Sequence, residues 1–498
     1  MILLQSFFES PYKINIYKDS SGKQYYSYDT IFKLTSYDSL VNSIVKHILS
    51  DKGYLDNKIV KLQNLIQYLS NAIEENLANY DLKISEKIRK ALIEWITYKI
   101  IGLEKVMPFL IDDLVQEIYL DKPSTTLYID HQTFGRCLTN IKIPNSDLEN
   151  LITRLCLEKD TNINYVNPSL KVELKTDKFH VRAAIDIPPL ANDGISMNIR
   201  KLRSKIWTLP ELIKQSMLSI RAAAYILFIL KRRNNITVIG EPGSGKTTLA
   251  NAIDLLTPQD WRKITVEDVV ESIDQTEYNK FQTRYSVSPF ENKSGGTTKS
   301  EEIIKLLHRS PTWVFLGEIQ TAEHSQALFE SLSAGLKGIQ TCHGRTAEMM
   351  IIRWINQHNI PLSSILSLDL LIETSSQYKN WKIIRNVFRI VEISEKTLLS
   401  KQIHNRLSNI DLIDVFKYDL RSKQLVEQID LFNTPTLEKI KEKEPLTKKA
   451  FEQEITYLSN QLNFLISNKI FSPKKVLQII TNQEFKKEEF RDIKQQQT

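Results

Sequence analysis

The sequence is poor in cysteine and has no apolar run long enough to span a membrane. Its three cysteines, Cys137, Cys156 and Cys342, lie far apart among 498 residues, which fits neither a disulfide framework nor a paired zinc motif. The longest interior apolar run, residues 222–230, has nine residues, whereas a bilayer-spanning helix needs about 20. The opening ILLQSFFES lacks the basic segment of a signal peptide. We therefore expect a cytoplasmic protein that is soluble or peripheral to a membrane.

A strong excess of one charge is also absent. The net charge is +7, with 42% hydrophobic and 25% charged residues, a composition that supports a sizeable core. A nucleic-acid motor would need a concentrated basic groove with interleaved aromatic residues. The basic residues form only scattered clusters, such as Lys231-Arg232-Arg233, which more simply cap a helix end. The sequence carries no strong nucleic-acid signal.

The pattern of apolar residues and turn signals changes along the chain and predicts five regions. Apolar residues recur at helical spacing from about residue 37 to 105, and short β-like runs with turns follow. We predict a helical N-terminal region at 1–105, an α+β domain at 106–205, a linker at 206–215, an α/β domain at 216–398 and a helical C-terminal region at 399–498.

Core strands are predicted within the α/β region. The runs ITVIG (236–240), ITVED (264–268), WVFLG (313–317) and GIQTCH (338–343) are typical of core strands, and helical patterns lie between some of them. Strands that alternate with helices indicate a parallel sheet of the wound α/β type.

A phosphate-binding loop follows the first of these strands. GEPGSGKT matches G-x-x-x-x-G-K-[ST], with a strand before it and a helical pattern after it. Backbone N–H groups and the helix N-terminus would face a phosphate, Lys246 would reach the β- and γ-phosphates, and Thr247 would ligate Mg²⁺. The alternatives are a chance glycine turn or a loop that binds nothing. The predicted cofactors are ATP and Mg²⁺, and the predicted ATP-binding residues are Gly240, Glu241, Pro242, Gly243, Ser244, Gly245, Lys246, Thr247 and Thr248.

An acidic segment lies about twenty residues downstream. VEDVVE (266–271) places Glu267, Asp268 and Glu271 at a strand end. Carboxylates so close to a phosphate site repel unless a metal ion or a polarised water lies among them, which suggests water activation. The alternative is a solvated acidic turn.

Two further strand ends carry candidate residues. Glu318 follows WVFLG, where an acidic side chain can hold Mg²⁺ through water; otherwise it is a solvent-facing end charge. His343 ends GIQTCH and could hydrogen-bond the γ-phosphate. The alternatives are a structural histidine or a metal pair with Cys342, and the pair is disfavoured because adjacent strand residues point to opposite faces.

In this order, the four segments resemble those of the secretion ATPase superfamily, which serves type II secretion, type IV pili, archaella and type IV secretion. The family carries a P-loop, an acidic box, a Walker B strand that ends in Gly-Glu, and a histidine box. Residues 123–140 and 165–201 resemble its second, PAS-like N-terminal domain, and 128–140 is most similar to the archaeal branch. The resemblance covers about residues 105–395 and implies a RecA-like P-loop core.

The resemblance also implies roles for individual residues. Glu271 would be the general base, Glu267 would help to place water, Glu318 would hold Mg²⁺ through water, and His343 would sense the γ-phosphate. Two basic residues of the N-terminal domain, Arg182 and Arg200, would approach the nucleotide; alternatively, each makes a surface or interdomain salt bridge.

At the level of function, the resemblance implies an ATPase motor for a filament of the type IV pilus or archaellum kind, or for protein secretion. A homo-hexamer would act on a polytopic membrane platform protein, and through it on pilin-like subunits. The alternatives are a type IV secretion ATPase for DNA transfer, a RecA-like nucleic-acid motor, or a non-hydrolysing subunit.

The sequence departs from the family pattern at two positions. Gln320 stands where the family usually has arginine, and His308 stands at a second usual arginine position, with Arg309 displaced by one residue. Both changes remove fixed positive charge near the predicted site.

Overall fold

The computed structural model describes residues 1–32, 36–50, 61–80, 84–202, 206–287, 297–379, 382–394 and 412–481. The chain forms two compact units. The first comprises Met1–Lys205 and Tyr378–Ile383, and the second comprises Ile206–Gln377 and Ile384–Thr498.

The first unit is built on a nine-stranded sheet within the described residues. Its strands are β1 (Ile2–Glu9), β2 (Tyr12–Lys18), β3 (Gln24–Thr30), β4 (Val115–Leu120), β5 (Thr126–His131), β6 (Gly135–Lys142), β7 (Ser169–Lys175), β8 (His180–Asp186) and β9 (Ser196–Lys201). Its helices are α1 (Asp38–Ser50), α2 (Leu62–Ala78), α3 (Glu86–Ile100), α4 (Met107–Ile111) and α5 (Asn145–Lys159). The strand order is β1-β2-β3-β6-β5-β4-β9-β8-β7.

Side-chain alternation explains how this sheet forms its core. In β7, Leu170, Val172 and Leu174 are buried while the intervening residues are exposed, which is the pattern of a strand with one face against a core. Buried residues of α1–α3 belong to the same hydrophobic cluster as the strands.

The structure differs from the helical prediction at residues 2–30, where three strands form. β3 pairs with β6 in parallel and so joins these strands to the sheet of the predicted α+β domain. In β2, Tyr12, Ile14 and Ile16 are fully buried at a spacing of two, a strand signal that was present in the sequence. The helical pattern begins at Asp38, close to the predicted residue 37. The finer division into five regions remains a prediction.

The second unit contains a separate nine-stranded sheet within the described residues. Its strands are β10 (Ile236–Gly240), β11 (Lys263–Glu267), β12 (Gln282–Ser286), β13 (Trp313–Ile319), β14 (Gly338–His343), β15 (Leu370–Lys379), β16 (Lys382–Ile393), β17 (Leu412–Asp419) and β18 (Gln424–Glu427). Its helices are α6 (Leu209–Lys214), α7 (Ile220–Lys231), α8 (Lys246–Asp254), α9 (Lys299–Lys305), α10 (Ala322–Ser333), α11 (Ala347–Asn356), α12 (Leu362–Ile365), α13 (Pro435–Lys441), α14 (Lys448–Ser467) and α15 (Pro473–Thr481).

The order of these strands places the predicted site segments side by side. The sheet runs β12-β11-β13-β14-β10-β15-β16-β17-β18, and its first six strands pair in parallel. The carboxyl ends of β10, β11, β13 and β14 therefore lie at one edge of the sheet, where ligands of wound α/β folds bind. The predicted α/β class and its four core strands are confirmed.

Apolar helices cover the sheet and continue into the C-terminal region. All nine residues of the apolar run 222–230 are fully buried in α7, and buried residues of α14 lie in the same cluster. The predicted C-terminal helices are α13–α15, and they follow the antiparallel pair β17–β18. None of the helices in the described ranges is long and apolar enough to cross a membrane.

Candidate nucleotide-binding and hydrolysis site

The loop between β10 and α8 has the backbone of a phosphate cradle. Gly243 and Gly245 have φ values of 75° and 92°, in the left-handed region that glycine adopts without strain. A Cβ placed on Gly243 would meet no atom within 4 Å, so the crest of the loop is open. The first turn of α8 starts at Lys246, and the N-terminal end of a helix dipole favours an anion. These residues fit a bound phosphate.

The base of this loop is fixed to the neighbouring strand β15. The hydroxyls of Ser244 and Thr374 lie 2.8 Å apart, and Thr374 Oγ1 donates to the carbonyl of Ile239 at 3.1 Å. Gly240 leaves the space for this contact, since a Cβ there would lie 2.7 Å from the Thr374 carbonyl oxygen.

Three predicted residues, one from the start of α8 and two from the ends of β13 and β14, converge beside the loop. Lys246 Nζ lies 3.1 Å from His343 Nδ1 and 3.9 Å from Glu318 Oε1, and His343 Nε2 contacts Glu318 Oε1. A single tautomer satisfies these contacts: Nδ1 accepts from the lysine and Nε2–H donates to the carboxylate. Lys246 also donates to the Glu241 carbonyl at 3.1 Å. The P-loop lysine, the glutamate at the end of β13 and the histidine thus form one connected chain of contacts.

The Glu318 carboxyl group is held in its charged form. Burial raises its pKa, but hydrogen bonds from His343 and Gln320 and the charge of Lys246 lower the pKa below its ordinary value overall. The Gln320 amide donates to Glu318 Oε2 at 2.6 Å. A carboxylate is the ligand type that Mg²⁺ and its bound waters prefer. The Gln320 departure therefore still supports the glutamate, through a neutral hydrogen bond.

A β-bulge positions Glu318. β13 pairs with β14 through Leu316↔Gln340 and next through Ile319↔Cys342, so β13 spans three residues where its partner spans two. Bulges of this kind redirect side chains and are frequent next to active sites. Gly317 lies in the bulge, and a Cβ there would be 3.0 Å from Glu267 Cγ and 3.3 Å from Glu267 Cα. Glycine at this position lets the acidic strand end of β11 approach.

Glu267 is the buried carboxyl group of the acidic segment. It is 2% exposed and accepts hydrogen bonds from Ser272 Oγ at 2.6 Å and from the Glu271 amide at 3.3 Å. Burial raises the pKa of Glu267 to about 7, although these hydrogen bonds lower it. A carboxyl group with a pKa near neutral can accept and return a proton, which suits it to act on water.

Glu271 lies in the loop after β11, and its side chain is exposed. Its carbonyl accepts from Asn251 Nδ2 at 2.9 Å, and Asn251 Oδ1 accepts from the Ile273 amide at 3.1 Å. Asn251 belongs to α8, so it ties the acidic loop to the P-loop helix. The role of Glu271 as general base remains a prediction.

The two predicted arginines belong to the first unit. Arg182 on β8 and Arg200 on β9 are directly opposite in the sheet, and Arg200 Nε lies 3.8 Å from Glu117 Oε1. This contact agrees with the salt-bridge alternative for Arg200. A nucleotide-binding role for either residue remains a prediction.

Other contacts bear on the metal and arginine candidates. The Cys342 thiol is fully buried, and this burial raises its pKa to about 12. No group of three or more His, Cys, Asp or Glu side chains in the described part of the chain could hold a metal ion. The predicted Mg²⁺ ligands remain Thr247 and Glu318. Arg309, which is displaced by one residue from the usual arginine position of the family, contacts Glu302 and lies over the Tyr285 ring at 4.2 Å.

Three residues of the site were not anticipated from the sequence. Asn251 is described above; Arg385 Nε donates to the Gly243 carbonyl at 2.7 Å, and Lys299 contacts Asp268 and the Glu318 carbonyl. Each is a single residue whose partner is distant in the chain, so no local pattern marks it. The one available signal was the capping box Thr298/Glu301, which places Lys299 at a helix start.

The buried Glu267 predicts a pH-dependent stability. Its pKa is 4.5 ordinarily and about 7 in the fold, so its contribution is fully present below pH 4.5 and is lost as pH rises through 7. Glu267→Gln cannot ionise. We expect the unfolding midpoint of the variant, relative to wild type, to rise by about 5 °C between pH 4.5 and pH 8. Thermal melts at both pH values measure this, with exposed Glu330→Gln as control; a pH-independent difference would contradict it.

A P-loop at the carboxyl edge of a parallel α/β sheet, with a charged glutamate and a histidine beside its lysine, defines a P-loop NTPase domain. The chain belongs to the family of type II/IV secretion system proteins, whose model matches residues 103–372, more than half of the chain. This confirms the predicted membership of the secretion ATPase superfamily.

The curated relatives come from archaea and bacteria. The protein MJ0900 of Methanocaldococcus jannaschii is 25% identical over 320 residues, which cover 64% of this chain and 56% of that protein. The type IV secretion system protein PtlH of Bordetella pertussis is 26% identical over 272 residues, 50% of this chain and 79% of PtlH. The archaeal relatives agree with the predicted archaeal branch. The chain thus spans little more than half the length of MJ0900.

Solved structures of the same group are similar at low identity. The VirB11 ATPase of Brucella suis, in complex with sulphate, is 20% identical, with a TM-score of 0.29, and the match covers 62% of this chain and 96% of that one. The pilus retraction motor PilT with bound ADP is 16% identical, with a TM-score of 0.42, over 70% of this chain and 96% of that one. The family assignment rests on the family model and not on these likenesses.

Proposed function

We propose that the second unit hydrolyses ATP with Mg²⁺ and that this reaction powers assembly of a type IV pilus-like or archaellum-like filament, or protein secretion. The observation that supports this most is the convergence of Lys246, Glu318 and His343 beside an open P-loop. Phosphoryl transfer needs positioned phosphates, a cation and an oriented water, and these side chains supply groups of each kind.

Each group has a defined task in this proposal. The loop amides and Lys246 bind the β- and γ-phosphates, and Thr247 with Glu318, through water, would hold Mg²⁺, which neutralises phosphate charge when bound. Glu271 takes the proton of the attacking water, and Glu267, with its pKa near 7, helps to place that water.

His343 is suited to report the state of the nucleotide. It bridges Lys246 and Glu318. A lysine that turns to a γ-phosphate gives up its bond to the imidazole, so His343 Nδ1 changes partner when nucleotide binds and again when phosphate leaves. Such a local exchange of hydrogen bonds can couple a chemical step to a conformational one.

Phosphate release by the purified full chain tests the proposed reaction. We expect turnover of ATP that requires Mg²⁺ and stops when EDTA is added. Assays with and without lipid vesicles show whether ATP turnover depends on a membrane surface. A chain that is folded, as judged by a cooperative thermal melt, but releases no phosphate under any of these conditions would contradict the proposal and favour a non-hydrolysing subunit.

The proposed partners are further copies of the chain in a homo-hexamer, a polytopic membrane platform protein and, through it, pilin-like subunits. We place the chain at the inner face of the cell membrane through that partner. The sequence resemblance and the family membership support this assignment.

DNA transfer through a type IV secretion system is the second candidate, because PtlH and VirB11 are named as proteins of such systems. A nucleic-acid motor has less support: in the cluster Lys231-Arg232-Arg233, Arg232 is paired with Glu444 at 2.6 Å and Glu454 at 2.9 Å. Turnover that rises when single- or double-stranded DNA is added would favour these alternatives.

A further inference from the structure

Lys299 is a buried cation in the hydrolysis site. It is the first residue of α9 and is 1% exposed. Its ammonium donates to the Glu318 carbonyl oxygen at 2.7 Å and to Asp268 Oδ1 at 3.3 Å. The side chain therefore joins the acidic segment after β11 to the Walker B strand β13.

This burial is costly without those contacts. A desolvated ammonium is tolerated only when it is paired and hydrogen-bonded, and a cation at a helix N-terminus is opposed by the helix dipole. The helix does not need this lysine to start, because the capping box already provides acceptors for the N–H groups of Thr298 and Glu301. The position of Lys299 is thus explained by its two partners and not by the helix.

The carbonyl that Lys299 binds is itself unusual. Glu318 lies in the bulge of β13, between the ladder positions Leu316 and Ile319. A carbonyl displaced from its ladder requires another donor. Lys299 donates to this carbonyl at 2.7 Å, within the bulge that carries the Glu318 side chain.

We propose that Lys299 is a positioning residue for nucleotide hydrolysis: by tying Asp268 to the bulge carbonyl of Glu318, it holds the water-activating and metal-holding strand ends at their working separation. The inference rests on the proposed ATPase activity. The positive charge of Lys299 also lies beside the carboxylate of Asp268. The chain has glutamine at position 320, where the family usually has a positively charged arginine.

The test compares Lys299→Met, which keeps the length of the side chain but removes its charge, with Lys299→Arg. We expect kcat of the Met variant to fall about 10- to 100-fold, because small displacements of catalytic groups cost that much. KM and the affinity for a non-hydrolysable ATP analogue, measured by calorimetry, should change less than about threefold, since the P-loop is untouched. Arg should restore most of kcat. Lys305→Met, on the exposed side of the same helix, is the control.

A double-mutant cycle separates positioning from general stability. Asp268→Asn should lower kcat in the same way as Lys299→Met. The decrease of kcat in the double variant should be smaller than the product of the two single decreases, because both substitutions disrupt the same Lys299–Asp268 contact. Wild-type kcat in either of these two single variants would overturn the proposal, as would a loss of nucleotide affinity as large as the loss of kcat.

If Lys299→Met does not fold, the kcat values of Asp268→Asn and Lys299→Arg test the proposal instead. A wild-type chain without turnover overturns the proposed function itself, which is a distinct result.

Discussion

Lys246→Ala is expected to reduce ATP turnover by about 10³-fold or more, because it removes the preorganised cation at the phosphates. The lysine is 6% exposed and its ammonium is fixed by Glu241, His343 and Glu318, so no other side chain of the loop replaces it. Affinity for the nucleotide should fall as well, since the lysine contacts phosphates in both the ground state and the transition state.

Phosphate release and calorimetry with an ATP analogue measure the two effects of this substitution. Lys443→Ala, an exposed lysine near α13, is the matched control and should behave as wild type. A Lys246→Ala variant that keeps more than about a tenth of wild-type turnover would refute the assignment of this loop as the reaction site, given the scale of such losses.

Glu318→Gln is expected to have a similarly large but more selective effect. The amide keeps the size of the side chain and can still accept from His343, but it carries no charge to hold Mg²⁺ through water. We expect kcat to fall about 10²- to 10³-fold while the nucleotide still binds, so that unhydrolysed ATP remains on the protein.

The measurement is a comparison of bound ATP and released phosphate in a single-turnover experiment. Glu330→Gln, on the exposed side of the following helix α10, controls for the change of charge. Loss of nucleotide affinity equal to the loss of turnover would mean that Glu318 supports the loop and not the chemical step.

Much of this site could be predicted from the sequence because its parts are local patterns. The P-loop is eight consecutive residues, and Glu267, Glu318 and His343 each lie in or directly after a short run that is typical of a core strand. The spacing of such motifs along the chain does not reveal the strand order. The contact between His343 and Glu318 depends on β14 lying between β13 and β10, which only the folded sheet establishes.

The features that the sequence did not predict depend on contacts between distant segments or on the pairing register of the strands. Lys299 acts on a carbonyl 19 residues away, and Asn251 on a loop 20 residues away. No local sequence motif marks either residue. The strands of residues 2–30 differ in this respect, because the sequence of β2 carries the alternation of a strand, next to a longer helical pattern that begins at Asp38. Gln320, which the sequence marked only as a departure, proves to be a hydrogen-bond donor to Glu318.

The bulge in β13 also constrains how this strand can change its length. Side chains of a strand alternate between the two faces of a sheet, so the residue count of a segment decides where each side chain points. Between Leu316 and Ile319 a deletion would remove the extra residue of the bulge, restore a regular ladder with β14 and change the direction of the glutamate side chain. A substitution such as that at position 320 leaves this spacing intact. We therefore expect this segment to vary in composition among working members of the family while its residue count stays fixed.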